Sequence, residues 1–308
     1  MTKLLQTLVD SIAVGSLYGL IALGYTMVYG ILQFINFAHS DVFMVGAWLS
    51  FLVAVRIGGQ TATVEPSVAK ALLVLLTAMV CCGALGFTIE RLAYRPLRQA
   101  PRLNVLITAI GVSLFIENLG QLKWLFGAMP QPMPRLLPDR PLFALAGVNV
   151  NLLDVIVVGT AAVLMLLLNW IVFGTKLGRG MRAVSYSPPT AALMGVPVSR
   201  IISFTFVIGS CAAAAAGFLY ATKYITLQQP AHETWIRLGL KAFVAAVVGG
   251  IGNIRGAMLG GLLIGLIEFF GAAYLSPNLR DVYVFAVLIL VLLFRPAGIL
   301  GRATVEKV

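Results

Sequence analysis

Few side chains in this sequence could do bond-making chemistry. There are two histidines, His39 and His232, three cysteines, Cys81, Cys82 and Cys211, and eleven carboxylates. Hydrolytic or metal chemistry needs such groups gathered: a nucleophile beside a base, an HExxH pair, or closely spaced Cys and His ligands. None of these patterns occurs, nor does a GxSxG elbow or a phosphate-binding Walker loop. The cysteines lie in apolar runs, and Cys81 and Cys82 are adjacent and badly placed to bridge each other. They read as small packing residues. The remaining candidates are polar groups set singly in apolar surroundings. His39 and Asp41 fall in "GILQFINFAHSD" (30–41), and Glu117 and Glu268 sit inside apolar runs. The stretch "VVGGIGNIRGAMLGGLLIG" (247–265) holds seven glycines with Asn253 and Arg255. Such residues suit brief hydrogen bonding to a small polar solute rather than catalysis.

The elements that carry them are set by composition. The chain has 308 residues, 60% hydrophobic and 11% charged, where a soluble domain carries about 25% charged residues. This is an all-α polytopic membrane protein, read as one transmembrane domain over residues 1–308. The net charge of +11 is spread over short segments between apolar runs, a positive-inside pattern, and does not point to nucleic acid. The first run, from Leu4 past Tyr29, is too long for a signal-peptide core. A crossing needs about 20 apolar residues. Candidates are Leu5–Ile31, Val42–Val55, Val68–Ile89, Val105–Phe126, Leu152–Phe173, Ile201–Ala221, Leu240–Val248, Ala257–Tyr274 and Val282–Phe294. Leu240–Val248 is only a half-span, so the bundle has about eight or nine crossings, with a broken helix near residues 249–253.

Orientation follows from the basic segments. Glu90–Arg102 holds Arg91, Arg95, Arg98 and Arg102, and Lys176–Arg200 holds Lys176, Arg179, Arg182 and Arg200. The tail holds Arg295, Arg302 and Lys307. These three segments are expected in the cytoplasm. The Pro-rich loop Gly127–Val150 then falls outside, and so does the N-terminus, although Lys3 counts mildly the other way. Within Lys176–Arg200, Thr190–Gly195 is predicted as a short helix, started by Pro188 and Pro189 and stopped by Gly195 and Pro197. It is either a docking knob for a cytosolic partner or part of a plain basic loop.

Several stretches resemble one family. They are "GSLYGLIALGYTMVYGILQFINFAHSDVFMVGAW" (15–48), "IERLAYRPLR" (89–98), "AALMGVPVSRIISFTFVIGS" (191–210), "LKAFVAAVVGGIGNIRGAMLGG" (240–261) and "RPAGILGRATVEKV" (295–308). Their content and order resemble the H-type permease subunit of high-affinity branched-chain amino acid ABC importers. Two positions depart from the pattern: Ser40 stands where glycine is expected, and Pro188–Pro189 where a charged, helix-forming stretch is expected. The resemblance implies partners: a second homologous permease, giving a heterodimer, two cytosolic ATPase subunits, and a periplasmic substrate-binding protein. This chain would itself bind no cofactor, with ATP and Mg held by the ATPases, in the inner membrane of a bacterium.

With that role, residues acquire candidate duties. Asn36, His39, Gly249, Gly250, Gly252 and Asn253 are expected along the translocation path, with Arg255 at its cytoplasmic end. Irregular backbone at membrane depth survives only where protein buries it or where it lines a watery cavity. Two readings of the glycines stay open: a break offering backbone groups to solute, or close helix packing throughout. His39 and Asp41 are either functional or structural, a helix-entry cap by Ser40 or Asp41 explaining the same residues. Glu117 and Glu268 are expected to find a hydrogen-bond partner, such as Asn118 or the second permease. The faint likeness of residues 30–41 to the 249–258 stretch suggests an internal repeat. Arg182, Thr190, Ala191, Ala192, Leu193, Met194 and Gly195 are expected to dock the ATPase. The substrate is expected to be a branched-chain or other aliphatic amino acid. Alternatives are urea, short amides or other neutral amino acids through the same machine, or a stand-alone channel or ion-coupled carrier.

Overall fold

The structure is a computed structural model, described over residues 2–58, 66–145 and 148–301. Its helices are α1 (Thr2–Leu32), α2 (His39–Gly58), α3 (Val68–Ile89), α4 (Arg102–Gly120), α5 (Leu152–Gly174), α6 (Lys176–Tyr186), α7 (Pro188–Leu193), α8 (Val198–Lys223), α9 (Glu233–Gly249), α10 (Ile254–Tyr274) and α11 (Arg280–Phe294). A π-helical turn, Glu90–Tyr94, continues α3. Among the described residues, eight helical segments are long and apolar enough to cross a membrane. α9, of 17 residues, adds a ninth leg. The expected half-span at Leu240–Val248 is thus the C-terminal part of a longer helix. Glu233, Arg237 and Lys241 interrupt its apolar run, yet two ion pairs absorb them: Arg237 with Glu233 at 2.9 Å and Lys241 with Glu268 at 3.0 Å.

α1 is the central helix, buried along nearly its whole length, and α10 is its closest neighbour. The glycines make this approach possible. A Cβ on Gly261 would collide with the backbone of Gly19, and one on Gly265 with Gly15 and Ser11. Gly256 and Gly260 face the other way, against Gly249 and Ala245 of α9. The glycines from 256 onward therefore form two stripes on α10, one for α1 and one for α9. Without side chains between them, backbones gain dispersion contacts along their length. α11 lies at the periphery and leaves most of its apolar surface exposed, as lipid contact permits.

Two ends of the bundle differ in character. At one, the Pro-rich loop is extended, as its prolines dictate. It forms β1 (Gln131–Pro132), paired antiparallel with β4 (Thr226–Leu227), and a hairpin of β2 (Pro141–Leu145) with β3 (Val148–Asn151). The N-terminus shares this end: Lys3 Nζ donates to Ala273 O at 2.6 Å, and Asn149 N donates to the Gln6 side chain at 3.0 Å. The other end gathers the segment 90–102, helices α6 and α7, the α9–α10 turn and the tail. Arg98 reaches Ser199 at 2.9 Å, Ser185 donates to Gly30 O, and Ile299 N donates to Val248 O at 2.9 Å. Arg302 and Lys307 of the tail lie outside the described residues.

Candidate functional site

The turn between α1 and α2 holds the first group of candidates. The chain leaves α1 through Gln33, in the left-handed region at φ 53°, and re-enters helix at His39. Asn36 is buried, and its Oδ1 accepts from the Tyr94 hydroxyl at 2.6 Å. His39 is buried with its ring edge-on to Tyr25, centroids 4.8 Å apart. It fits because Gly24 lies opposite, where a Cβ would overlap the imidazole. Among the described residues, His39 Nε2 makes no hydrogen bond. The capping expectation fails here. Ser40 Oγ donates to Phe37 O at 2.8 Å, and Asp41 accepts from Ser113 Oγ of α4 at 2.5 Å. Asp41 thus ties α2 to α4 instead of receiving its own helix's N–H groups.

The glycine run is a reversal, not an interruption in a single crossing. α9 ends at Gly249 and α10 starts at Ile254, and the two helices pack antiparallel. Gly250 at φ 110° and Gly252 at φ 92° supply the turn, a conformation that side-chain-bearing residues rarely adopt. Asn253 caps α10, its Oδ1 accepting from Arg255 N and Gly256 N at 3.1 and 3.3 Å. The backbone groups expected to await a solute are taken by the chain's own tail. Gly249 O accepts from Leu300 N at 3.0 Å, and Asn253 Nδ2 donates to Leu300 O at 2.7 Å. Gly252 alone of this group opens onto space: with Gly30, Arg182, Ser185 and Thr205 it lines a cavity of about 60 Å³. There the two interrupted stretches meet, Gly30 standing beside Gly252.

The basic segment 176–200 is two helices rather than one. Thr175 caps α6, accepting from Gly178 N at 3.1 Å. Gly178 packs directly on the last carbonyls of α5, so the glycines that hid α6 in the sequence are what seat it. α7 spans Pro188–Leu193 instead of Thr190–Gly195, because both prolines occupy its first turn behind the Ser187 cap. Gly195, at φ 78°, lies beyond its end. Ala191 faces inward, while Thr190 and Ala192 are exposed, and Leu193 and Met194 are 88% and 80% exposed. Arg182 is engaged within the chain, donating to Val172 O with its guanidinium over Phe173.

Comparison with known proteins fixes the affiliation. The family described as "Branched-chain amino acid transport system / permease component" matches residues 7–292. The chain belongs to this family. It is 41% identical over 307 residues to the high-affinity branched-chain amino acid transport system permease protein BraD of Pseudomonas aeruginosa, covering 99% of this chain and 98% of that one. It is 39% identical to the corresponding protein LivH of Escherichia coli K12, covering 99% and 97%. A probable branched-chain amino acid transport permease LivH of Methanocaldococcus jannaschii is 26% identical, covering 94% and 90%.

The permease also holds polar residues that sequence reasoning passed over or paired wrongly. Glu268 finds partners within this chain, and Asn118 is not one of them. The Tyr18 hydroxyl donates to Oε2 at 2.7 Å and Lys241 Nζ lies 3.0 Å from Oε1. Glu90, fully buried, receives Arg98 on one oxygen and Ser203 Oγ at 2.6 Å on the other. The presence of Glu and Arg in "IERLAYRPLR" was visible, but not that the π turn brings them face to face across eight positions. Ser40 is accommodated by Gly239 of α9, which has no Cβ to meet it.

Proposed function

We propose that this chain is the membrane subunit of an ATP-driven importer that passes branched-chain or other aliphatic amino acids into the cytoplasm. The supporting observation is near-full-length similarity to permeases named for that transport. In this reading the end bearing segments 90–102 and 176–200 is cytoplasmic, by its excess of arginine. Two ATPases, carrying ATP and Mg, dock there on α7, where the exposed Leu193 and the Met194 that follows it would fill an apolar cleft. A binding protein delivers the amino acid at the opposite end, over the β1–β4 and β2–β3 strands. A second, homologous permease completes the path.

Along that path, Asn36 and His39 offer buried polar atoms in the inner half of the bundle. Gly252 leaves room beside Arg182, while Gly249, Gly250 and Asn253 frame the turn that holds the opening in place. The test is reconstitution with the transport subunits encoded beside it. Uptake of labelled L-leucine should require ATP and the binding protein. Uptake of urea or acetamide in preference to leucine would favour the amide reading, and leucine uptake without ATP would point to a carrier.

A further inference from the structure

Between α1, α2, α8, α9 and α10, in the half of the bundle nearer the strands, lies a second cavity of about 190 Å³. At about 30 Å³ per liquid water it has the capacity of roughly six waters, the scale of one small amino acid. Part of its lining is apolar, made by Leu17, Ile21, Phe43 and Leu238. The same lining carries Lys241, Glu268 and Arg280, with the Tyr18 hydroxyl on Glu268 Oε2 at 2.7 Å. Lys241 and Glu268 are deeply buried, their side chains 9% and 3% exposed, whereas Arg280 is 45% exposed and Asp281, which pairs with Lys241 but does not line the cavity, is 39% exposed.

The four charges are linked. Lys241 Nζ lies 3.0 Å from Glu268 Oε1 and 2.7 Å from Asp281 Oδ1, and Arg280 Nε lies 3.5 Å from the same Glu268 oxygen. Asp281 Oδ2 also lies 3.7 Å from Arg237, itself paired with Glu233, so the whole network of three cations and three carboxylates sums to zero. A buried ion pair is weak as a stabiliser, because desolvation offsets its attraction, and ionisable groups at membrane depth commonly mark function. We propose that this cavity is a binding subsite for a zwitterionic, aliphatic α-amino acid, an assignment that rests on the importer reading above. The ligand carboxylate takes Lys241 and Arg280. Two carboxylates account for two of the three Lys241 donors, leaving one for the ligand. The ligand ammonium takes Glu268, and the side chain lies against Leu17, Ile21, Phe43 and Leu238. A zwitterion keeps the cluster neutral, whereas an amine or a carboxylic acid alone leaves one buried charge uncompensated, which is costly at low dielectric. The site therefore selects for both charges together and for an apolar side chain.

The experiment uses the complete transport complex, with Cys81, Cys82 and Cys211 replaced by alanine and Leu238→Cys introduced on the cavity wall. Labelling by N-ethylmaleimide is followed with L-leucine, isoamylamine or 4-methylpentanoate present. L-leucine should slow labelling, and neither single-charge analogue should do so at the same concentration. Adding Lys241→Met should raise the half-protecting leucine concentration about tenfold to a hundredfold, the range of one hydrogen bond to a charged group. Separately, Leu238→Trp in the chain with its native cysteines narrows the cavity without touching a charge. It should shift uptake preference from leucine towards alanine. If leucine uptake proceeds while labelling is indifferent to leucine and Leu238→Trp leaves the preference unchanged, the cluster is only a clamp between helices and the subsite is wrong. Protection by leucine in a complex that does not transport leucine would instead sink the importer reading and leave the subsite standing.

Discussion

Glu90 has no water to fall back on. Its carboxylate is fully buried and both oxygens are used, by Arg98 and Ser203. Glu90→Ala strands the Arg98 guanidinium, and breaking a buried pair costs about 3–5 kcal/mol. Arg98 is 20% exposed, so the low end, about 3 kcal/mol, is expected. Glu90→Gln keeps an acceptor for Ser203 and should lose less. Melting of the detergent-solubilised protein measures both, and equal melting of Glu90→Ala and wild type would discount the pair. Gly250 and Gly252 provide a second contrast. Alanine at either position is strained by positive φ, about 1–3 kcal/mol. Only at Gly250 would the new Cβ also meet the tail, 2.5 Å from Gly301 N. Gly250→Ala should therefore lower the melting temperature more than Gly252→Ala; the reverse order would mean that the tail does not pack there. In the sequence a break at these glycines was one of two open readings. The sequence did not show that residues 298–301 plug the break, because a contact across some fifty positions leaves no local periodicity.

At the scale of elements, what could be read was whatever had an apolar signature. The long runs of α1, α3, α5 and α8 announced themselves. α9 was cut to half its length because Glu233, Arg237 and Lys241 count against a membrane helix until their partners, within α9 and on α10 and α11, are known. α6 was missed because glycines at 178 and 180 lower helix propensity, while its Thr175 cap and its seat on α5 are tertiary facts. α7 was found, two residues out of register, because proline at a helix start has a local cause. Its exposed tip gives the clearest test. Leu193→Asp with Met194→Asp removes apolar surface at residues 88% and 80% exposed, so the fold should be unaffected, within about 0.5 kcal/mol. The ATPases should then fail to co-purify, and ATP-driven uptake should fall at least about tenfold, the effect of losing only 1.4 kcal/mol of docking energy. Full co-purification with normal uptake would move the docking site elsewhere.

For the whole molecule the remaining question is which end faces the cytoplasm. Arg91, Arg95, Arg98, Lys176, Arg179 and Arg200 lie in the two basic segments at one end, with Glu90 as the acid among them. The opposite end has basic residues too: Lys123, Arg135 and Arg140 are spread over the connection 121–151, Lys223 is paired with Asp154, and Lys3 donates to a backbone carbonyl at the end of α10. They are less densely set than in the two basic segments. The positive-inside rule counts lysines and arginines in short loops, so the segments 90–102 and 176–200 should be inside and residues 127–150 outside. Nine legs, counting α9, then place the start of α1 outside and the end of α11 inside. A cysteine scan decides this if its probes are exposed. Leu136, near the centre of the outer loop, is fully buried and would be silent from either side, whereas Met129 is 72% and Tyr186 is 93% exposed. With the native cysteines replaced by alanine, Met129→Cys should react with a membrane-impermeant maleimide in intact spheroplasts, and Tyr186→Cys only in inside-out vesicles. The opposite pattern would invert the molecule. It would put the strands on the ATPase side and leave α7 facing the binding protein, and the docking assignment would fall with it.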